Sequence, residues 1–158
     1  MQPNISVLIP VYNVEKYLPV CLQSLQQQTY RNFEIVAIND GSTDHSLSIL
    51  QAYASQDKRL RILSQKNVGL ACTRNNLLDQ AHGKYFIFVD SDDWIDLNMY
   101  AEMMDVAKRY HVELVTSGIF YDDETGTGKG IGFDSFEEGV YKEKELRILG
   151  EKILIKPS

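Results

Sequence analysis

Apolar and polar positions along the first 120 residues alternate by whole segments rather than by single residues. Ile5-Ser6-Val7-Leu8-Ile9 is a short β-branched run and predicts a strand, ended by Pro10, which has no backbone N–H to donate. Asn13 is placed to cap a helix with Tyr17, Leu18, Cys21, Leu22 and Leu25 on one face at spacings of three and four. Pro19 removes the hydrogen bond back to Glu15, so the expectation is a loose first turn before it and regular helix to about Gln27. Phe33 to Ile38 predicts a second strand, and Asn39-Asp40-Gly41-Ser42 supplies turn chemistry after it. Ser42, Thr43 or Asp44 then caps a helix carrying Leu47, Leu50, Tyr53 and Ala54, before a short strand at Leu60 to Leu63.

A third helix is expected from near Gly69, with Leu70, Leu77, Leu78 and Ala81 as its apolar positions and Gly83 as its end. Tyr85 to Val89 is the strand expected to be most buried, and it leads into Asp90-Ser91-Asp92-Asp93-Trp94. Met99, Met103, Val106 and Tyr110 make the stripe of a fourth helix, after which Val112 to Ile119 predicts another strand. Apolar strands without alternation, separated by helices, predict an α/β class: a Rossmann-like, mainly parallel sheet with helices on both faces. Right-handed crossovers then bring the carboxyl ends of the strands to one edge, the expected place of a site. Beyond Tyr121 the chain turns polar, with Gly126, Gly128, Gly130 and Gly132 suggesting a mobile loop. Its Gly126-Thr127-Gly128-Lys129-Gly130 is no phosphate loop, because Gly130 stands where Ser or Thr must follow Lys. Phe133 to Tyr141 reads as an edge hairpin and Lys142 to Gly150 as a short helix.

Composition narrows the class. At 158 residues, 44% hydrophobic and 24% charged, the chain suits one globular domain that buries roughly 70% of its unfolded surface. Its longest apolar stretch, Tyr85 to Val89, is far short of the ~20 residues of a membrane span, and Met1-Gln2-Pro3-Asn4 has no export signal. Cys21 and Cys72 make no disulfide framework and suit a reducing cytosol. A net charge of −6 disfavours nucleic acid as a partner.

Three polar groups fall at predicted strand ends: Pro10 to Asn13, Asn39 to Asp44, and Asp90 to Asp93. Carboxylates as close as Asp90, Asp92 and Asp93 repel, and a hard divalent cation relieves them. The alternative is a solvated turn capping a helix; the place at the end of a buried strand favours the metal. Asp40 is suited to accept hydrogen bonds from a base or ribose, while Gly41 to Asp44 make the turn and cap. Arg74 falls between Leu70 and Leu78 in an apolar stripe, which favours pairing with a phosphate or an Asp such as Asp40 over snorkelling to solvent. Tyr12 is placed to stack on a planar base or to pack. Trp94 is expected to anchor the turn behind the carboxylates, and His45, His82 and His111 show no ligand spacing.

Together these motifs resemble family 2 glycosyltransferases, inverting enzymes of the GT-A fold. The resemblance rests on Ser6 to Asn13, Gln28-Thr29-Tyr30 before Phe33-Glu34-Ile35, Asn39 to Asp44, Asn67-Val68-Gly69 with Thr73-Arg74-Asn75, and Asp90 to Trp94. It implies a nucleotide-sugar donor, most often a UDP-sugar, with Mn²⁺ or Mg²⁺, and a glycan or lipid-linked acceptor in polysaccharide biosynthesis. It further implies a cytoplasmic place, at the inner membrane face. Carried over, Pro10, Tyr12 and Asp40 contact base and ribose, Arg74 lies close to the nucleotide, Asp90 faces ribose and sugar, and Asp92 is the metal ligand. The family's acidic pair and its basic, Trp-containing motif are not recognisable after Tyr121. Residues 1–121 are therefore expected to form the nucleotide-sugar-binding domain and 122–158 the start of an acceptor-side segment. The catalytic base is expected beyond Ser158, and residues 1–158 are expected to bind donor but transfer poorly. The rivals are a non-catalytic nucleotide-sugar-binding module and, more distantly, a metal-dependent phosphohydrolase or a nucleotidyltransferase.

Overall fold

A computed structural model describes residues 2–117, 119–121 and 129–131. Its first strand, β1 (Ile5–Val11), is buried along all seven residues because it lies in the middle of a sheet covered on both faces. The chain continues through α1 (Leu18–Gln27), β2 (Phe33–Asp40), α2 (Ser46–Gln56), β3 (Leu60–Gln65), α3 (Leu70–Leu78), β4 (Tyr85–Phe88) and α4 (Met99–Tyr110). The four strands pair in parallel in the order β3-β2-β1-β4.

Alternate residues of β1 serve two cores. Ile5, Val7, Ile9 and Val11 pack with Leu18, Cys21, Leu22 and Leu25 of α1, Leu50 of α2, and Tyr100 and Met104 of α4. Leu8 faces the other way and joins Val36, Ile38 and Leu77 of α3. Each fully buried leucine or isoleucine adds roughly 1.5–3 kcal/mol, and the two-sided cover explains the unalternated apolar strands. The expected parallel α/β sheet with helices on both faces is therefore present.

The chain divides into two compact units, Met1–Met104 and Asp105–Ser158. The first holds the sheet with α1 to α3 and the start of α4. In the second, α4 closes at His111 with a left-handed φ of 53°. There β5 (Ile119–Tyr121) pairs antiparallel with β6 (Lys129–Ile131), Phe120 opposite Gly130.

Several local expectations are corrected. Pro10 does not end β1, which runs on to Val11. The Val89 N–H donates to the Leu8 carbonyl, so even-numbered residues of β1 turn their backbone groups toward β4. The β4 pairing ends at Leu8↔Phe88, so the missing N–H of Pro10 meets no acceptor strand. Asn13 caps nothing: it has φ 51°, and α1 starts at Leu18, after a turn and with Pro19 in its first turn, as expected. In α3 the buried positions are Thr73 and Leu77, whereas Leu70 and Leu78 are exposed. β4 is the outer strand of the described sheet, with Phe86 57% exposed. The α4 stripe is Tyr100, Met104 and Ala107, shifted from the expected one, and residues 112–117 form no strand. Gly130 belongs to β6 rather than a loop. The expected hairpin at Phe133 to Tyr141 and helix at Lys142 to Gly150 lie outside the described residues. Among those residues no helix is long and apolar enough to cross a membrane.

Candidate functional site

The strand order turns back at β1: β2 and β3 extend the sheet on one side and β4 on the other. Such a switch point opens a crevice beyond the carboxyl ends of the two central strands. The polar groups expected at the strand ends all follow β1, β2 and β4 on that edge.

Asp40 ends β2 and is 3% exposed. Its Oδ1 accepts from Gln65 Nε2 at 2.7 Å and from the Val68 N–H at 3.0 Å, and its Oδ2 accepts from the Gly69 N–H at 3.0 Å. Burial pushes its carboxyl up, but these donors outweigh it and hold the group below the usual carboxylate range. Asp40 thus secures the 65–69 connection as an ion, and Arg74 does not pair with it. Gly41 makes the turn after Asp40 with φ 73°, and a Cβ there would stand 2.8 Å from the Asn67 nitrogen. No other residue fits both constraints.

The loop after β1 is clasped to the loop after β2. The Asn13 N–H donates to Ser42 Oγ at 3.1 Å, and Asn13 Oδ1 accepts from the Thr43 N–H at 2.8 Å. The Val14 N–H donates to Ser46 Oγ and the Glu15 N–H to Asp44, which also accepts from the first turn of α2 through the Ser46 N–H. These bonds set the segment carrying Tyr12, which is 48% exposed. Pro10 and Val11 lie level with Ile38 and Asn39, so Tyr12 emerges beside the Asp40 end of β2.

On the β4 side Arg74, on α3, donates to Asp90 Oδ1 at 2.6 Å and lies 5.6 Å from the Phe88 ring centre. Its Nε is buried and has no partner among the described residues. Asp92 and Asp93 follow in a turn closed by the Asp93 N–H on the Asp90 carbonyl at 3.0 Å. Both are exposed, and Asp92 accepts no hydrogen bond from the described residues. Burial first, then the charges of Asp92 and Asp90, push the Asp93 carboxyl up. Burial together with the three aspartates pushes the neighbouring Cys21 thiol up to about 12. Beyond the Arg74–Asp90 pair, this corner therefore carries two carboxylates, Asp92 and Asp93, that meet no cation among the described residues. Among the described residues no three His, Cys, Asp or Glu side chains gather as a ready metal cage. That donor set fits Mg²⁺ or Mn²⁺ held by one or two carboxylates with substrate phosphates completing the shell.

The turn is anchored by α1, not by Trp94, which is 50% exposed. Gln28, fully buried, donates to the Asp96 carbonyl at 2.5 Å and accepts from the Tyr100 N–H at 3.2 Å. Ser24 Oγ accepts from the Ile95 N–H at 3.3 Å. Sequence reasoning missed Gln65 and Gln28 as supports. The parallel register places Gln65 level with Asp40, which is the signal that identifies it.

A parallel sheet with its acidic strand ends at a switch point is the arrangement of nucleotide-binding α/β folds, whose ligands lie at that edge. More specifically, the chain belongs to glycosyl transferase family 2, whose family profile matches residues 6–158. It is 39% identical over 143 residues to glycosyltransferase GlyA of Streptococcus pneumoniae serotype 4, covering 87% of this chain and 20% of that protein. It is 43% identical over 105 residues to the putative glycosyltransferase EpsH of Bacillus subtilis, covering 66% of this chain and 30% of EpsH. Among solved structures, S. aureus TarS 1–349 in complex with UDP superposes with a TM-score of 0.65 at 35% identity, over 68% of this chain and 33% of that one. A complex of the same TarS piece with UDP-GlcNAc matches equally. The mannosyltransferase PcManGT of Pyrobaculum calidifontis shares the fold, with a TM-score of 0.60 at 21% identity, over 75% of this chain and 35% of that one. The fold is thus GT-A, and the chain spans between a fifth and just over a third of these chains.

Proposed function

We propose that the chain forms the donor-binding part of a glycosyltransferase that moves a hexosyl or related sugar from a nucleoside diphosphate, UDP foremost, to a hydroxyl acceptor with inversion. The product is a polysaccharide or lipid-linked glycan made at the cytoplasmic face of a membrane. Residues 1–121 form the nucleotide-sugar-binding domain and 122–158 lead toward the acceptor side. One observation carries this reading: the exposed Tyr12, the ionised Asp40, and the Arg74–Asp90 pair with Asp92 beside it all lie at the carboxyl edge of β1, β2 and β4. The 35% identity to a protein solved with UDP and UDP-GlcNAc supports it.

Pro10 and Tyr12 flank the base, and Asp40 accepts an N–H from it. Asp90 faces the ribose and sugar, fixed by Arg74, whose partly exposed guanidinium is suited to a diphosphate oxygen. Asp92 holds Mn²⁺ or Mg²⁺, which when bound offsets charge collecting on the departing nucleoside diphosphate. The base that deprotonates the acceptor belongs to the acceptor side.

Calorimetric titration with UDP, GDP and their sugars, with and without Mn²⁺, tests the reading. UDP is expected to bind more tightly with Mn²⁺, and Asp92→Ala is expected to lower that affinity about tenfold, or about 1.4 kcal/mol. A Mn²⁺-independent affinity untouched by Asp92→Ala would remove the metal assignment. No binding of any of these ligands would remove the donor reading.

A further inference from the structure

Asp40 owes its orientation to a side chain that the donor reading leaves without a role. Gln65 closes β3 level with Asp40, and its Nε2 donates both to Asp40 Oδ1 at 2.7 Å and to Thr73 Oγ1 at 3.0 Å. Its Oε1 accepts from Asn76 Nδ2 at 2.8 Å. Thr73 and Asn76 lie three residues apart on α3, so one helix holds both ends of the amide. Turning that amide over would set its oxygen against a carboxylate and its NH₂ against the Asn76 NH₂, so the orientation is fixed by its partners. Oδ1 of Asp40 receives both Gln65 and Val68, whereas Oδ2 receives the Gly69 N–H; with the Thr73 O–H directed at the Gly69 carbonyl at 3.0 Å, Oδ2 keeps a lone pair.

We propose that Gln65 is a positioning residue for the donor base: by holding Asp40 as a pure acceptor with the Oδ2 lone pair free, it makes the site select bases that offer a ring N–H, such as uracil or guanine, over cytosine, which offers a bare ring nitrogen. The inference rests on the donor reading above, with Asp40 at the base. A bare ring nitrogen facing the carboxylate leaves two lone pairs opposed in a desolvated corner, a mismatch far worse than a lost apolar contact. Burial favours the protonated carboxyl of Asp40, and the donors led by Gln65 reverse that preference, in keeping with the acceptor role.

Gln65→Glu keeps the length of the side chain but sets two carboxyls side by side, which then share a proton. When that one proton sits on Asp40 Oδ2 and the charge stays on the introduced carboxylate, Asp40 presents an O–H to a cytosine ring nitrogen. The experiment is calorimetric titration of the protein with UDP, GDP and CDP in Mn²⁺, alongside thermal unfolding, for the wild type, Gln65→Glu and Asn76→Ala. The wild type is expected to prefer UDP at least about tenfold, and Gln65→Glu to bring the two ligands within about threefold, largely by gain of CDP affinity. Asn76→Ala frees the amide without touching Asp40 and is expected to lower the preference part of the way. If Gln65→Glu does not fold, Gln65→Met removes the donation with similar volume and is expected to lower the UDP to CDP ratio in the same direction. Equal losses for both ligands with the ratio kept, together with a lower Tm, would make Gln65 a purely structural residue and overturn the proposal. A wild type that binds neither UDP nor GDP would fail at the donor reading itself, a result distinct from an unchanged ratio.

Discussion

Arg74 meets Asp90 at 2.6 Å with both side chains more than a third exposed, so the ion pair itself adds only about 0–1 kcal/mol to stability. Its weight is in aim: the pair fixes the carboxylate that ends the β4 segment and sets the direction of a guanidinium that stays partly exposed. Arg74→Ala is therefore expected to weaken UDP binding in Mn²⁺ by about tenfold while leaving stability within about 1 kcal/mol of wild type. Titration with UDP beside a urea unfolding curve checks both halves, and a fall in stability with unchanged affinity would place Arg74 in the fold alone. The residue types at this edge were legible in the sequence, but their pairing was not. Asp40 and Asp90 are both aspartates after strands, and only the fold shows that backbone N–H groups fill one and a guanidinium meets the other.

Among the elements, α1 does more than cover the sheet. Its C-cap residue Gln28 reaches the segment after the carboxylates, donating to the Asp96 carbonyl and accepting from the Tyr100 N–H. Gln28→Leu keeps the volume and strands two buried backbone groups, so it is expected to destabilise by about 1–3 kcal/mol. A lower urea midpoint measures this, and Mn²⁺-dependent UDP affinity is expected to fall with it, because Asp92 rides on the segment released. Element order and class could be read because two-sided burial writes apolar runs into parallel strands. The faces of α3 and α4 could not. Leu70 and Leu78 looked like core yet are exposed, while Thr73 is buried because its hydroxyl bonds the Gly69 carbonyl and receives Gln65. Pro10 misled for a similar reason: its effect on a strand depends on where the neighbouring strand stops, which is a property of β4.

For the whole molecule, a charge of −6 near neutrality includes carboxylates that the fold holds ionised. Burial pushes Glu34 up, but Ser6 and His82 bond it and leave it below the usual range. The Arg59 side chain bonds Asp57 and lowers it against its burial. Both groups bind a proton more readily in the unfolded chain, so their contribution is present above the unfolded values, about 4, and is lost as pH falls through the lower folded ones. Unfolding midpoints in urea are expected to drop steeply below about pH 4, and Glu34→Gln is expected to make that drop shallower. A slope unchanged by Glu34→Gln would exclude Glu34 as a contributor. The family could be read from motifs in the first 94 residues, because those motifs are the strand ends themselves; the supports at Gln65 and Gln28 could not, since they act through residues far along the chain. The strand order has one further consequence, for synthesis. β1 pairs with β2 about thirty residues on, Ile5 beside Phe33, but with β4 only at Tyr85. A ribosome thus delivers the central strand first, and one of its flanks waits through most of the sheet's translation. Closing a longer loop is entropically harder and slower. The corner that holds Asp90 is consequently the last part of the described four-stranded sheet to form, and the carboxyl edge of its strands lacks Asp90, Asp92 and Asp93 until they have emerged.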